Sequence, residues 1–448
     1  MKKTFSYLLM IVTVLAVFAC NETAQKEERP LDDDSLLTLV QHQTFQYFWD
    51  GAEPNSGMAR ERIHMDGDYP QNDQDVVTIG GSGFGVMAIL VGIERGFVSR
   101  GAGVERLQKI MRFLANADRF HGAWPHWLYG PTGKVRAFSD KDDGGDIVET
   151  AFMAQALVTV REYFKDGNDS ERQLAAAADT LWKEIDWNHY RQNGQNVLYW
   201  HWSPTQGWAA NHPVRGYDEC LIAYVMAASS PTHGVPAAVY HEGWARGGAI
   251  ATDLTQYDIP MVLKHNEPNN SVGPLFWSHY SYMGLDPRGL KDRYADYWEL
   301  NRNHALIHRE HAIRNPNGFE GYGEHAWGFT ASYSISGYAA HNPNNDRGVI
   351  SPTAALSSYP YTPEYSMEVI RYLYEELGDK VWGPYGFYDA YSETEDWYPQ
   401  RYLAIDQGPI VGMIENHRSG LLWNLFMGAP EIREGLKKLG FESEMHPL

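Results

Sequence analysis

Between residues 402 and 416 the chain is apolar on nearly every side, broken only by Asp406, Gln407, Glu415 and Asn416. A helix that is apolar all round has to be buried. A carboxylate beside buried apolar surface is costly unless it is paired, hydrogen-bonded or used. Pro409 suits a first helical turn because its missing N–H would go unpaired there anyway. That placement puts Asp406 and Gln407 on the loop leading into the helix. Two readings of Asp406 stay open at this point, a helix N-cap and one half of a catalytic carboxylate pair.

The same context recurs along the chain. Asp146 and Glu149, in Asp140-Lys-Asp-Asp-Gly-Gly-Asp146-Ile-Val-Glu149, lie three apart at a helix start and share a face. Acids in a first turn also complement the helix dipole, so favourable placement alone accounts for the spacing. Asp218 and Glu219 precede an apolar stretch that runs to Ala228. Apolar periodicity and breakers predict about twelve helical segments, among them 76–93, 104–117, 146–164, 170–187, 294–314, 362–377 and 420–439. Ser35 is the expected N-cap of the first. Runs of strict two-residue alternation are few and short. Inner helices apolar all round, each preceded by an acid- or aromatic-bearing loop, are what a ring of helix pairs produces. The expected fold is all-α, a single (α/α)6 toroid over 35–448, with two helical domains as the alternative.

Composition narrows the ligand. The formal net charge of −20 argues against nucleic acid, whose affinity rests on Lys and Arg at phosphates, and against a polyanionic substrate. Aromatics make up 13%, with 15 Trp and 28 Tyr. Their flat apolar faces and polar edges suit sugar rings, although most such rings in any protein are core. Gly80, Gly81, Gly83 and Gly85 open a helix without a preceding strand or a Lys-Ser/Thr ending, so they allow close packing and do not hold phosphate. The histidines fall into no HExxH pattern and the two cysteines into no CxxC, so no metal is expected. No GxSxG elbow is present. Paired carboxylates in an aromatic-rich chain point to glycoside hydrolysis, with one protonated acid and one ionised carboxylate. A polysaccharide lyase using Tyr280 with His279 is the competing chemistry, disfavoured by the charge because it needs a uronate. A non-catalytic surface glycan-binding lipoprotein would use the aromatics without the acids.

The N-terminus carries its own signals. Lys2 and Lys3 precede an apolar stretch of signal-peptide length that ends Val17-Phe18-Ala19-Cys20. This resembles a bacterial lipobox, with Phe18 where a small residue is commoner. The expectation is a signal peptide over 1–19, lipid on Cys20 and a polar tether over 20–34. Lys26-Glu-Glu28 resembles a short surface-export signal of Bacteroidetes lipoproteins. The protein is then expected on the outer membrane, facing periplasm or cell surface, with lipid as its sole membrane contact.

Longer motifs carry a specific resemblance. Gly144-Gly-Asp-Ile-Val-Glu-Thr-Ala151, Tyr217-Asp-Glu-Cys220, Gly273-Pro-Leu-Phe-Trp-Ser-His-Tyr280, Gly321-Tyr-Gly-Glu324, Pro352-Thr-Ala-Ala-Leu-Ser-Ser358, Trp382-Gly-Pro-Tyr-Gly-Phe-Tyr-Asp389 and 404–416 resemble the glucoamylase-like family, and more narrowly glycoside hydrolase family 144. The resemblance spans nearly everything after Ser35. It implies an (α/α)6 barrel, hydrolysis of β-1,2-glucan or its oligosaccharides, anomeric inversion and no obligatory cofactor. It further implies Glu219 as general acid and Asp406 as base, with Asp146 and Glu149 as further cleft acids. Asp218 stands where relatives commonly have Asn, and a charge there either raises the pKa of Glu219 or faces away. Arg60, Arg62, Asp75, Trp208, Tyr322 and Gln407 are the remaining candidate substrate contacts. Endo action and exo release of sophorose stay open. They differ in whether a loop such as 51–75 or 235–270 blocks one end of the cleft.

Overall fold

The computed structural model describes residues 31–448. Cys20, the expected signal segment and the tether up to residue 30 lie outside the described residues. The first helix, α1 (Asp33–Trp49), starts earlier than expected. Asp32, not Ser35, is its N-cap, and its carboxylate accepts from the Ser35 N–H at 2.8 Å.

Eleven further α-helices follow among the described residues: α2 (Ile79–Glu94), α3 (Arg100–Asn116), α4 (Ile147–Phe164), α5 (Asp169–Lys183), α6 (Leu221–Ser229), α7 (Tyr297–Arg314), α8 (Pro352–Ser357), α9 (Pro363–Arg371), α10 (Ala404–Arg418), α11 (Leu421–Gly428) and α12 (Pro430–Leu439). Five of them, α2, α4, α6, α8 and α10, form an inner ring with the 3₁₀ turns at 275–283 as sixth member. In this ring α2 packs between α4 and α10, α4 reaches α6, and α6 meets the 3₁₀ turns. These turns are tied to the end of α8 by His279 Nε2 with Ser358 Oγ at 2.9 Å and by the Tyr361 hydroxyl, which donates to Ser278 O at 2.8 Å. The outer helices α1, α3, α5, α7 and α9 cover this ring. The result is the (α/α)6 toroid expected from the pattern.

Every residue of α6 and α8 is buried, and so is α2 from Ile79 to Gly92. Glycines make that density possible. A Cβ on Gly83 would sit 2.7 Å from the Phe152 carbonyl, so α2 rests directly on the α4 backbone. Close packing is therefore what this glycine cluster does.

Three local expectations are corrected. Residues 76–78 form a strand antiparallel to Trp127–Tyr129, and α2 begins only afterwards. The expected helix over 420–439 is two helices, broken where Pro430 opens a new first turn. Most relevant to the site, α10 begins at Ala404. The strand Arg401–Leu403 pairs with Arg62–His64, and Ala404 N donates to Glu61 O at 3.0 Å. The chain turns helical directly after that pairing. Asp406 thus lies inside the first turn and Pro409 inside the helix, so the N-cap reading of Asp406 is wrong.

Candidate active site

The starts of the inner helices converge on a cavity of about 370 Å³. Three carboxylates line it, Glu61, Glu149 and Glu219, among the rings of Trp127, Trp200, Phe276, Tyr280 and Tyr338. A second cavity of about 500 Å³ shares Arg62, Gln71 and Tyr338 with the first, so the two adjoin.

The start of α4 is a compensated charge cluster. Asp146 is fully buried and is the N-cap of α4, its Oδ1 accepting from Val148 N at 3.0 Å and Glu149 N at 2.9 Å. Its Oδ2 accepts from His126 Nδ1 at 3.0 Å and lies 3.7 Å from His201 Nε2. Burial opposes the Asp146 charge, but these two imidazoles and the backbone donor hold the carboxyl below its ordinary value. Burial likewise opposes charge on His126, yet Glu149, Asp146 and Asp142 outweigh it and push the imidazole up to about 10. Glu149 Oε2 accepts from Gly80 N at 2.7 Å, at the first turn of α2. No side chain larger than hydrogen fits at position 80, since a Cβ would come within 2.4 Å of that oxygen. Burial, with Asp146 adding to it, raises Glu149 to about 7.

Glu219 precedes α6 and is half-buried on the cavity wall. Among the described residues no basic side chain pairs with it. Burial, and next the charge of Asp218, push its carboxyl well above the ordinary value. Burial and the neighbouring charge thus favour its protonated form, the form a general acid needs. Asp218 turns away from the cavity, accepting from Cys220 N at 3.0 Å and Asn266 Nδ2 at 2.8 Å, and burial raises it to about 6. Both halves of the sequence expectation for Asp218 hold, since it faces away and still raises its neighbour.

Asp406 is 1% exposed and sits behind the wall formed by Tyr280 and Ile405. The Tyr280 phenol and a second buried acid, Asp389, lie against it. Burial, then Asp389, raise Asp406 well above the usual carboxylate range. The charges of Asp406, Glu219 and Glu149 all act on the Tyr280 phenol, so the three acids surround one ring.

The other sequence candidates divide. Gln407 is buried with its Nε2 on Phe387 O at 3.2 Å and lines neither cavity. Arg60 bonds to Gln74 O and Asp75, and its neighbour Arg62 lines the cavities instead. Trp208 stacks on His189 with centroids 5.2 Å apart, away from both cavities, and Trp127 and Trp200 supply the indoles of the wall. Tyr322 donates to Asp346 Oδ1 at 2.8 Å and packs on Phe319 and Phe329, again off the cavities. His279 is buried against Ser358 and burial drives its pKa well below the ordinary value, while burial pushes Tyr280 well above its own. Neither is poised as a lyase base.

Sequence reasoning missed Glu61, Asp389, Asp142, His126 and His201 as members of the site. Glu61 stood in the 51–75 loop, considered as a possible block to one end of the cleft, and the two histidines stood in Trp124-Pro-His-Trp127 and Trp200-His-Trp202. Their carboxylate partners are distant in the chain, so no spacing exposed them.

Two clusters bring donor atoms within 4.8 Å of one another, His126 with Asp142 and Asp146, and Asp218 with Glu219 and Cys220. In the first, His126 Nδ1 is already bonded to Asp146. In the second, both Asp218 oxygens are engaged and burial raises the Cys220 thiol well above its ordinary value. These are ion-pair and capping arrangements.

The Glycoamylase family model, described as "Putative glucoamylase", matches residues 211–430. The endo-β-1,2-glucanase of Chitinophaga pinensis, solved with sophorotriose and glucose, is 65% identical, with 92% of this chain and 99% of that one covered and a TM-score of 0.91. The chain belongs to glycoside hydrolase family 144. The exo β-1,2-glucooligosaccharide sophorohydrolase (non-reducing end) of Parabacteroides distasonis is 43% identical over 436 residues. That match takes in 94% of this chain, which spans only 60% of the relative's length. An endo-β-1,2-glucanase of Talaromyces funiculosus, at 13% identity and a TM-score of 0.63, shares the family 144 fold alone.

Proposed function

We propose that the protein is an endo-acting, anomer-inverting β-1,2-glucanase. The observation that carries the reading is the pairing of an unneutralised Glu219 on the cavity wall with Asp406 behind it. Water attacks the anomeric carbon and the bond from that carbon to the bridging oxygen breaks. Glu219 gives its proton to the departing oxygen, and Asp406 takes the proton of the attacking water. Solvent then reprotonates Glu219 and deprotonates Asp406. A carboxylate lying behind the wall suits a base that works on water, because a nucleophile would have to touch the anomeric carbon itself. Glu149 and the indoles of Trp127 and Trp200 hold glucosyl units, whereas Asp146, expected from the sequence to bind substrate, is fully buried behind them and lines neither cavity.

Endo action is supported by the 65% identity to an endo enzyme over nearly its full length and by a second cavity adjoining the first at Tyr338. The second reading, exo release of sophorose, is favoured by the Parabacteroides relative. We also propose, from the sequence signals alone, that Cys20 carries lipid and holds the enzyme on the outer membrane, at its periplasmic or surface face. No described helix is long and apolar enough to cross a membrane.

Product analysis on linear β-1,2-glucan, followed by chromatography from the earliest times, tests the function. A spread of oligosaccharides is expected. Sophorose alone would establish the exo reading, and absence of cleavage would overturn both.

A further inference from the structure

Asp389 reaches Asp406 from a separate element, the segment between α9 and α10. Its backbone N–H donates to Arg401 O at 2.9 Å, which ties it to the strand that runs into α10. Its Oδ2 accepts from Tyr333 N at 3.0 Å. Asp389 Oδ1 and Asp406 Oδ2 are both buried, and among the described residues neither has a hydrogen-bond partner; the two carboxyls lie side by side and act on each other. Both residues are 1% exposed. Two buried carboxyls in contact cannot both ionise at ordinary pH, so they share a proton.

No cation intervenes. Arg62, the nearest charge of that sign acting on Asp389, is held by Asp73 at 3.0 Å and Glu61 at 3.6 Å. Arg401 binds Asp66 at 3.0 Å. The remaining groups facing the pair are Glu61, which opposes ionisation, and the phenols of Tyr280, Tyr333 and Tyr338. Of these, the Tyr280 phenol favours the ionised form of Asp406.

We propose that Asp389 is a positioning residue for the reaction, orienting Asp406 through a shared proton so that the pair, and not one carboxylate, receives the proton of the attacking water. This rests on Asp406 being the base. The resting pair holds one proton. It gains the second as the water oxygen bonds to the anomeric carbon, and solvent removes it after product leaves.

Asp389→Asn tests the proposal. The amide cannot share a proton and instead donates to the Asp406 carboxylate, which favours its ionised form and makes it a weaker base. Burial raises Asp389 to about 6, and Asp406 lies well above its ordinary value. In the variant the acidic limb of the kcat profile moves to lower pH by about one unit or more, and kcat on linear β-1,2-glucan falls by about 10- to 100-fold at little change in KM. A wild-type limb and kcat in Asp389→Asn, beside an inactive Asp406→Asn, would overturn the proposal and leave the base standing, as would a fall in Tm alone. Full turnover by Asp406→Asn would remove the base assignment itself. If Asp389→Asn does not fold, infrared difference spectra at neutral pH decide. Wild type should show one more protonated carboxyl than Asp406→Asn, and equal counts would overturn the shared proton.

Discussion

The starts of α4 and α10 bring acids to the same buried end of the ring and treat them in opposite ways. Asp146 receives two backbone N–H groups, His126 and His201, and is held below its ordinary pKa. Asp406 receives a phenol and another acid, and is pushed up. Both residues are almost wholly removed from solvent. The difference lies in the partners, and it separates roles. A buried carboxylate with full compensation is a fixed charge that shapes the floor of the cleft. One without compensation retains the freedom to exchange a proton, which is what catalysis needs.

The largest effect that would break this contrast is at Asp406. Asp406→Asn should lower kcat on linear β-1,2-glucan by about a thousandfold, within the range attributed to general bases, while oligosaccharide binding measured by calorimetry persists. Asp146→Asn should instead act on stability. Removing one member of a compensated buried pair costs about 3 kcal/mol, read as a lower midpoint in denaturant titration. Gly80→Ala sharpens the same side of the contrast. Its Cβ would meet Glu149 Oε2 at 2.4 Å and Phe152 at 2.8 Å, so Glu149 must leave its backbone donor, with a loss of about 1–3 kcal/mol and a raised KM.

Two pH effects follow from the charges. Asp218 raises Glu219, the proposed general acid, so Asp218→Asn should draw the alkaline limb of kcat down by about one unit, because the acid then loses its proton sooner. His126 has its pKa raised from 6.5 to about 10. Its ion-pair stabilisation is fully present below the lower value and lost as pH rises through the upper one. Tm should therefore decline across that window in wild type and decline less in His126→Gln. The smallest effect is expected far from the contrast. Tyr322→Phe loses one hydrogen bond to Asp346, about 1 kcal/mol, with kcat and KM unchanged.

The ring was legible in the sequence because its inner helices have no polar face, and a helix buried on all sides leaves few arrangements. The catalytic candidates were legible because acids at the mouths of such helices violate the rule that charge avoids apolar surroundings. Asp389 and Glu61 were not. Both sit in irregular segments with no periodicity to betray a buried face, and both enter the site through long-range strand pairing, that of 62–64 with 401–403. Trp208 and Tyr322 failed for the opposite reason, as aromatic loops supply core as readily as cleft. The start of α10 was misplaced because Pro409 was read as a first-turn residue, whereas strand pairing at Leu403 set the helix origin.

The most direct test of the central claim is turnover of linear β-1,2-glucan by Glu219→Gln, measured together with its affinity for a β-1,2-linked oligosaccharide. The account predicts that turnover falls by about a thousandfold and affinity stays near that of wild type, because the amide keeps the shape of the wall and lacks the proton. Turnover near the wild-type rate would contradict it.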